Sequence, residues 1–255
     1  MGKNRGMARK LSRKANIDGI LKGWPYEPEG VSVRLAIGKD GREVLQMRVD
    51  LGVLQLETTG RPDGLRPEGF ATYLDYLNDC ESTDPSMTMT EEQCSQADRE
   101  FVQFYHRRVC WLSLRRFGQA VRDADHTLGL MDFCRDHSPD EQWTVSHEQY
   151  RPFVVFHRTQ AEALAVLEHG GPEAAVEAIN DGLNTLKRLF KQYDAEDHYD
   201  EDELVKRLID SREALRQQHD VGRTLQERLA DAIAAEQYEL AAQLRDELAK
   251  RKTNH

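Results

Sequence analysis

Nine histidines lie along the chain, and acid–base or nucleophilic chemistry would begin with them: His106, His126, His137, His147, His157, His169, His198, His219 and His255. In "DADH", 123–126, Asp123 precedes His126 by three residues, so on a helix the carboxylate and the imidazole share a face. Asp125 is close by. Such a pair could orient a general base, but the spacing is more often that of a surface ion pair. Cys110 follows His106 by four residues, the separation of a thiol–imidazole pair on one helix face. Its surroundings, "CWLSLRR", are apolar, so it reads better as core. "GRPDG", 60–64, could offer Arg61 and backbone N–H groups to an anion, although Pro-Asp-Gly is first of all a turn.

No H-E-x-x-H, G-x-S-x-G or P-loop pattern occurs. The four cysteines, Cys80, Cys94, Cys110 and Cys134, form no C-x-x-C pair and have no histidine at zinc-site spacing. They read as reduced thiols. The acidic run "DAEDHYDEDE", 194–203, lacks the register of a calcium loop and reads as a solvated linker. No catalytic residue, metal or cofactor is expected, and the chain reads as a non-enzyme.

The elements that would position these residues are mostly helical. The chain has 255 residues, 31% charged and 39% hydrophobic, room for one large domain or several small modules with modest cores. No apolar run is long enough for a membrane span, and no signal-peptide pattern opens the chain, so a cytoplasmic location is expected. The net charge of −10 is uneven. Residues 1–14 carry Lys3, Arg5, Arg9, Lys10, Arg13 and Lys14 and no acid, which leaves −16 for the rest. The arm, 1–22, could touch nucleic-acid phosphates, while the acidic remainder repels them; a solvated tail is the plainer reading.

The expected fold class is α+β, mainly α. Residues 23–80 form a small β-rich module: Val31, Val33, Leu35 and Ile37 alternate with polar residues, "GKDG" turns, and Leu45, Met47, Val49, Leu51 and Val53 alternate again. Gly52 marks a bulge or a break before a third short strand. A helix within 68–80, with Phe70, Tyr73, Leu74 and Leu77 at helical spacing, should lie on the sheet face. Thr90 followed by Gln93 signals a helix N-cap. From 90 to 193 four helices follow as two antiparallel pairs, with a longer connection at 138–152 and a stop and restart at Gly171 and Pro172. The acidic linker, 194–202, leads to a connecting helix, 203–221.

The last segment, 222–252, reads as a helical hairpin. Leu225, Leu229, Ala232 and Ile233 share a face of the first helix; Leu240, Ala241, Leu244 and Leu248 share a face of the second. Only "EQY" separates the two, so they must run antiparallel. Ala241 and Ala242 should let them lie close. About 28 residues bury too little to stand alone, so another element or another protein should cover Tyr238, Leu240 and the outer side of Leu229.

Two resemblances follow from these residues. "ALAVLEHGGPEAAVEAINDGL" resembles a tetratricopeptide repeat, but Ala120 and Ala175 lie 55 apart rather than in regular register. "LQERLADAIAAEQYELAAQLRDELAK", 225–250, resembles the UVR motif shared by subunits B and C of bacterial excision nuclease. The matching positions are Glu236, Tyr238, Glu239, Leu240, Ala241, Ala242, Leu244, Arg245 and Asp246, with Tyr238 where the motif more often has Phe. The likeness covers about a tenth of the chain. It implies an adaptor that docks another UVR-like or amphipathic helical hairpin, itself included, through Leu229, Ile233, Glu236, Tyr238, Glu239, Leu240, Leu244, Arg245 and Asp246. The alternative is an accessory factor in nucleotide excision repair that contacts DNA through the basic arm.

Overall fold

A computed structural model describes residues 16–253, with side chains to 250. The order of elements is α1 (Asp18–Gly23), β1 (Val33–Ile37), β2 (Glu43–Val49), β3 (Gly52–Glu57), α2 (Tyr73–Thr83), α3 (Glu91–Ser113), α4 (Phe117–His137), α5 (Glu141–Glu148), α6 (Arg151–Gln192), α7 (Glu203–His219), α8 (Leu225–Ala234) and α9 (Tyr238–Thr253). Single 3-10 turns occupy Pro67–Gly69 and Glu196–Glu201. The fold is α+β and mainly α, with the small sheet at the N-terminal end. Residues 1–14, with the six basic side chains, lie outside the described residues. Helix α1 begins where the sequence suggested only an arm.

The three strands form an antiparallel meander in the order β1-β2-β3. Register places Val33 opposite Met47, Leu35 opposite Leu45, and Leu45 opposite Leu56, so these side chains share a face. Gly52 is no bulge; it opens β3 after a turn at Asp50 and Leu51. The sheet face packs on Cys110, Trp111, Phe117 and Ala120 from α3 and α4, and on Ala161 from α6. Here the structure corrects the expected cover. Helix α2 turns Tyr73 and Leu77 instead toward Met89, Cys94, Ala97, Leu130, Phe133 and Cys134.

A buried carboxylate holds α2 there. Glu100 accepts the N–H groups of Tyr73 (2.7 Å) and Leu74 (3.1 Å), and it faces His126 Nε2 at 2.9 Å. These are first-turn donors that have no partner within α2. Thr72 and Asp75 complete the start of α2 as a capping box, and Thr90 with Gln93 does the same for α3, as the sequence signalled.

Arg107 of α3 and Asp123 of α4 bind through two hydrogen bonds, 2.9 and 2.8 Å, with both side chains buried. Arg107 also donates to the carbonyls of Gly60 (2.7 Å) and Glu57 (3.2 Å), which ties the end of β3 to the helix pair.

Helix α6 breaks at Gly171 (φ 80°), just before Pro172, as "HGGPE" suggested. Its two halves fold back on each other: Val155, Phe156 and Ala163 share a cluster with Ile179, Leu183 and Leu186. Val205 and Leu208 of α7 are fully buried in the same cluster, so α7 belongs to the core rather than connecting two parts. The acidic run before it is also docked: Tyr199 donates its hydroxyl to the Leu183 carbonyl at 3.1 Å. The connection at 138–152 contains α5.

The tightest approach within α6 is Gly182 against Thr159. A methyl group added at Gly182 would fall inside the contact radius of Thr159 Oγ1. Gly182→Ala should therefore lower stability by about 1–3 kcal/mol in denaturant unfolding, the usual cost of overpacking. An unchanged midpoint would mean that the two halves do not lie this close.

Candidate docking hairpin

Helix α8 starts with Thr224, which accepts the Glu227 N–H while Glu227 Oε2 accepts the Thr224 N–H at 2.9 Å. This capping box satisfies two donors and fixes where the helix begins. The turn to α9 passes through Glu236 at φ 57°, a left-handed residue that reverses the chain within three positions. Leu225, Ala232, Ala241 and Leu244 are buried between α8 and α9, with Leu229 and Leu248 packed at the edges of the cluster.

The hairpin departs from expectation at Ile233, at Ala242 and in the docking role given to Leu244. Ala232 faces inward as expected, but Ile233 does not, because a step of about 100° per residue separates neighbours. Ala241 allows the close approach, while Ala242 points to solvent. Leu244 is 2% exposed and seals the hairpin itself, so it is no docking residue. A charge at 244 would unfold the hairpin before it tested any partner. Leu229 is half-buried in the same interior. Ile233, Glu236, Tyr238, Glu239, Leu240, Arg245 and Asp246 are exposed. Arg245 and Asp246, neighbours in sequence, pair at 2.9 Å because the long guanidinium side chain folds back to its neighbour.

Ile233, Tyr238 and Leu240 are 56%, 70% and 40% exposed, which leaves three large apolar side chains uncovered near the closed end of the hairpin. At the open end the hairpin is held by polar contacts. Arg216 of α7 pairs with Glu227, Asn180 of α6 donates to Glu227 at 3.1 Å, and Arg212 donates to Asn180 at 3.0 Å. Leu225, Gln226 and Leu248 line one side of a cavity whose other side is α6. The sequence reading missed this tether. The T-x-x-E at Thr224–Glu227 was the visible signal for the cap, but nothing local pointed to Arg216 or Asn180.

The candidate chemical pairs resolve as structure. Asp123 serves Arg107 rather than His126, whose partner is Glu100, and the His126 ring stacks on Phe104. Burial pushes the Cys110 thiol up to about 12, with the nearby Asp123 charge adding to it, so it stays protonated at neutral pH. Burial also lowers His106. Arg61 is buried beside Asp63 (3.4 Å) and Glu100 (3.6 Å), already occupied rather than open to an anion. Among the described residues no group of three or more His, Cys, Asp or Glu is arranged to hold a metal ion, and no helix is long and apolar enough to cross a membrane. No family model, curated protein or solved structure matches this chain.

Burial by itself would raise the Glu227 carboxyl, but Arg216, the Thr224 N–H and Asn180 outweigh it and hold the group at about 2. A carboxylate depressed in the fold adds stability above its unfolded pKa and loses it as pH falls through the folded one. The difference in Tm between wild type and Glu227→Gln should therefore be full at neutral pH and close as pH falls from 4.5 toward about 2. A gap that does not change across this window would contradict the tether.

Proposed function

We propose that the protein is a non-enzymatic adaptor whose α8–α9 hairpin docks a basic amphipathic helix, or helical hairpin, of another protein. The observation that carries this reading is the exposure of Ile233, Tyr238 and Leu240 beside a hairpin interior that is already full. Burying large apolar side chains is the main favourable term in association, and an aromatic ring with a polar tip is a common anchor at such surfaces. Residues 229–244 contain no Lys or Arg and three acids, Asp231, Glu236 and Glu239. Two copies meeting through this end would bring like charges together, which favours a basic partner over self-pairing. The UVR-like pattern of 225–250 supports the same mode of docking.

Replacing Ile233, Tyr238 and Leu240 together by Ser removes the surface without touching the buried cluster. The triple variant should keep its far-UV CD spectrum and Tm yet lose its partner in affinity capture. The captured protein should present a basic amphipathic helix, and its retention should weaken as salt rises. Equal capture by the variant, or a wild-type chain that sediments as a dimer through this surface, would overturn the reading.

A further inference from the structure

A second feature is lined by no residue of the hairpin. Helices α3, α4, α5 and α6 surround a cavity of about 810 Å³, within the size range of small-molecule sites. Its walls are largely aromatic: Phe101 and Tyr105 from α3, Trp143 from α5, Tyr150, and Phe153 from α6. The mouth stays apolar, with Val102, Tyr105 and Tyr150 at 56%, 40% and 59% exposure.

Arg108 lies in this cavity's lining and is 1% exposed. A buried guanidinium normally has a carboxylate beside it, because an unpaired buried charge is costly. Arg108 has none among the described residues. Its Nη1 donates to Thr127 Oγ1 at 3.0 Å, and its Nε reaches His157 Nδ1 only at 3.4 Å. Asp123, whose charge reaches Arg108, is already held by two hydrogen bonds from Arg107. Burial, with the charges of Arg108 and Arg207 adding to it, pushes His157 down to about 4, so at neutral pH it is an uncharged acceptor. Burial also lowers Arg108, to about 10, which still leaves it charged. Neither the bond to Thr127 nor the one to His157 uses Nη2.

Flat apolar walls around one cation with no counter-ion call for a particular kind of ligand. We propose that this cavity binds an organic monocarboxylate with a flat aromatic body, its carboxylate pairing with Arg108 and its rings lying among Phe101, Tyr105, Trp143 and Phe153. A planar carboxylate matches the edge of a guanidinium. A phosphate dianion fits less well, because Arg108 is the only Lys or Arg among the residues lining the cavity and Asp98 adds a negative charge nearby. Asp98 is itself held by Trp143 Nε1 (3.0 Å) and His147 Nε2 (2.8 Å), which fixes α5 over the cavity. The Phe101 and His147 rings meet at 4.5 Å along the same seam.

Isothermal titration of the full chain with 2-naphthoate tests this, with 2-naphthalenemethanol and 2-naphthyl phosphate as the neutral and dianionic controls. Naphthoate should bind at least tenfold more tightly than either control. Arg108→Met keeps the length of the side chain and removes the charge. It should abolish naphthoate binding while leaving Tm unchanged or raised, since an unpaired buried charge has been removed. A cation with a purely structural role would give a lower Tm instead. Tyr150→Glu, at the exposed mouth, adds a like charge without disturbing the core and should weaken naphthoate at least tenfold. The proposal falls if naphthoate gives no heat at millimolar concentration, if the alcohol or the phosphate binds as tightly, or if naphthoate binds Tyr150→Glu as it binds wild type.

Discussion

Arg107 and Asp123 carry the construction of the body. A buried ion pair contributes little net stability, but breaking one leaves a stranded charge, so it strongly constrains which geometry survives. This pair joins α3 to α4, and the two carbonyls that Arg107 also reaches bind the end of β3 to the same point. The sheet consequently sits on the helix pair, where Trp111 and Phe117 meet Leu45 and Leu56. The next residue along α3 is turned by about 100°. Arg108 therefore cannot share that pairing; it reaches Thr127 of α4 and His157 of α6 instead, in the lining of the aromatic cavity. Satisfying one arginine is what leaves its neighbour without a counter-ion.

The hairpin follows a different logic. Its apolar cluster is small and drawn almost wholly from α8 and α9, while the contacts that tie it to α6 and α7 are charged or polar. A segment of this size has little surface to bury and gains from any such support. Polar tethers at one end fix its orientation and leave the opposite, closed end unencumbered. Ile233, Tyr238 and Leu240 are at that end. The adaptor reading thus depends on two local facts: an interior already filled by Leu225, Ala232, Ala241 and Leu244, and two exposed acids, Glu236 and Glu239, within a stretch that has no Lys or Arg.

Where a signal is periodic or local, the sequence was informative. The strand alternation, the Thr90 cap, the break at Gly171 and the existence of the hairpin all follow from patterns within a few residues. What it obscured depends on partners distant in the chain. Helix α2 has a face that could have covered the sheet, and only Glu100, more than twenty residues on, directs it elsewhere. Ile233 and Ala232 are adjacent, and spacing alone put both on the inward face where only Ala232 lies. Nothing in "HRR", 106–108, marks Arg108 as different from Arg107; its isolation emerges only once Asp123 is seen to be occupied. The cavity itself is assembled from four helices and has no sequence motif.

The central claim is that the hairpin closes its own interior and hangs from the body by a polar tether. Hydrogen exchange on the full-length chain tests this most directly. Cooperative units of a fold open with their own free energies. The account predicts that amides of 225–250 exchange together, at a protection well below that of α3, α4 and the second half of α6. If they instead share the protection of those helices and open only with them, the hairpin is part of one continuous core and the account is wrong.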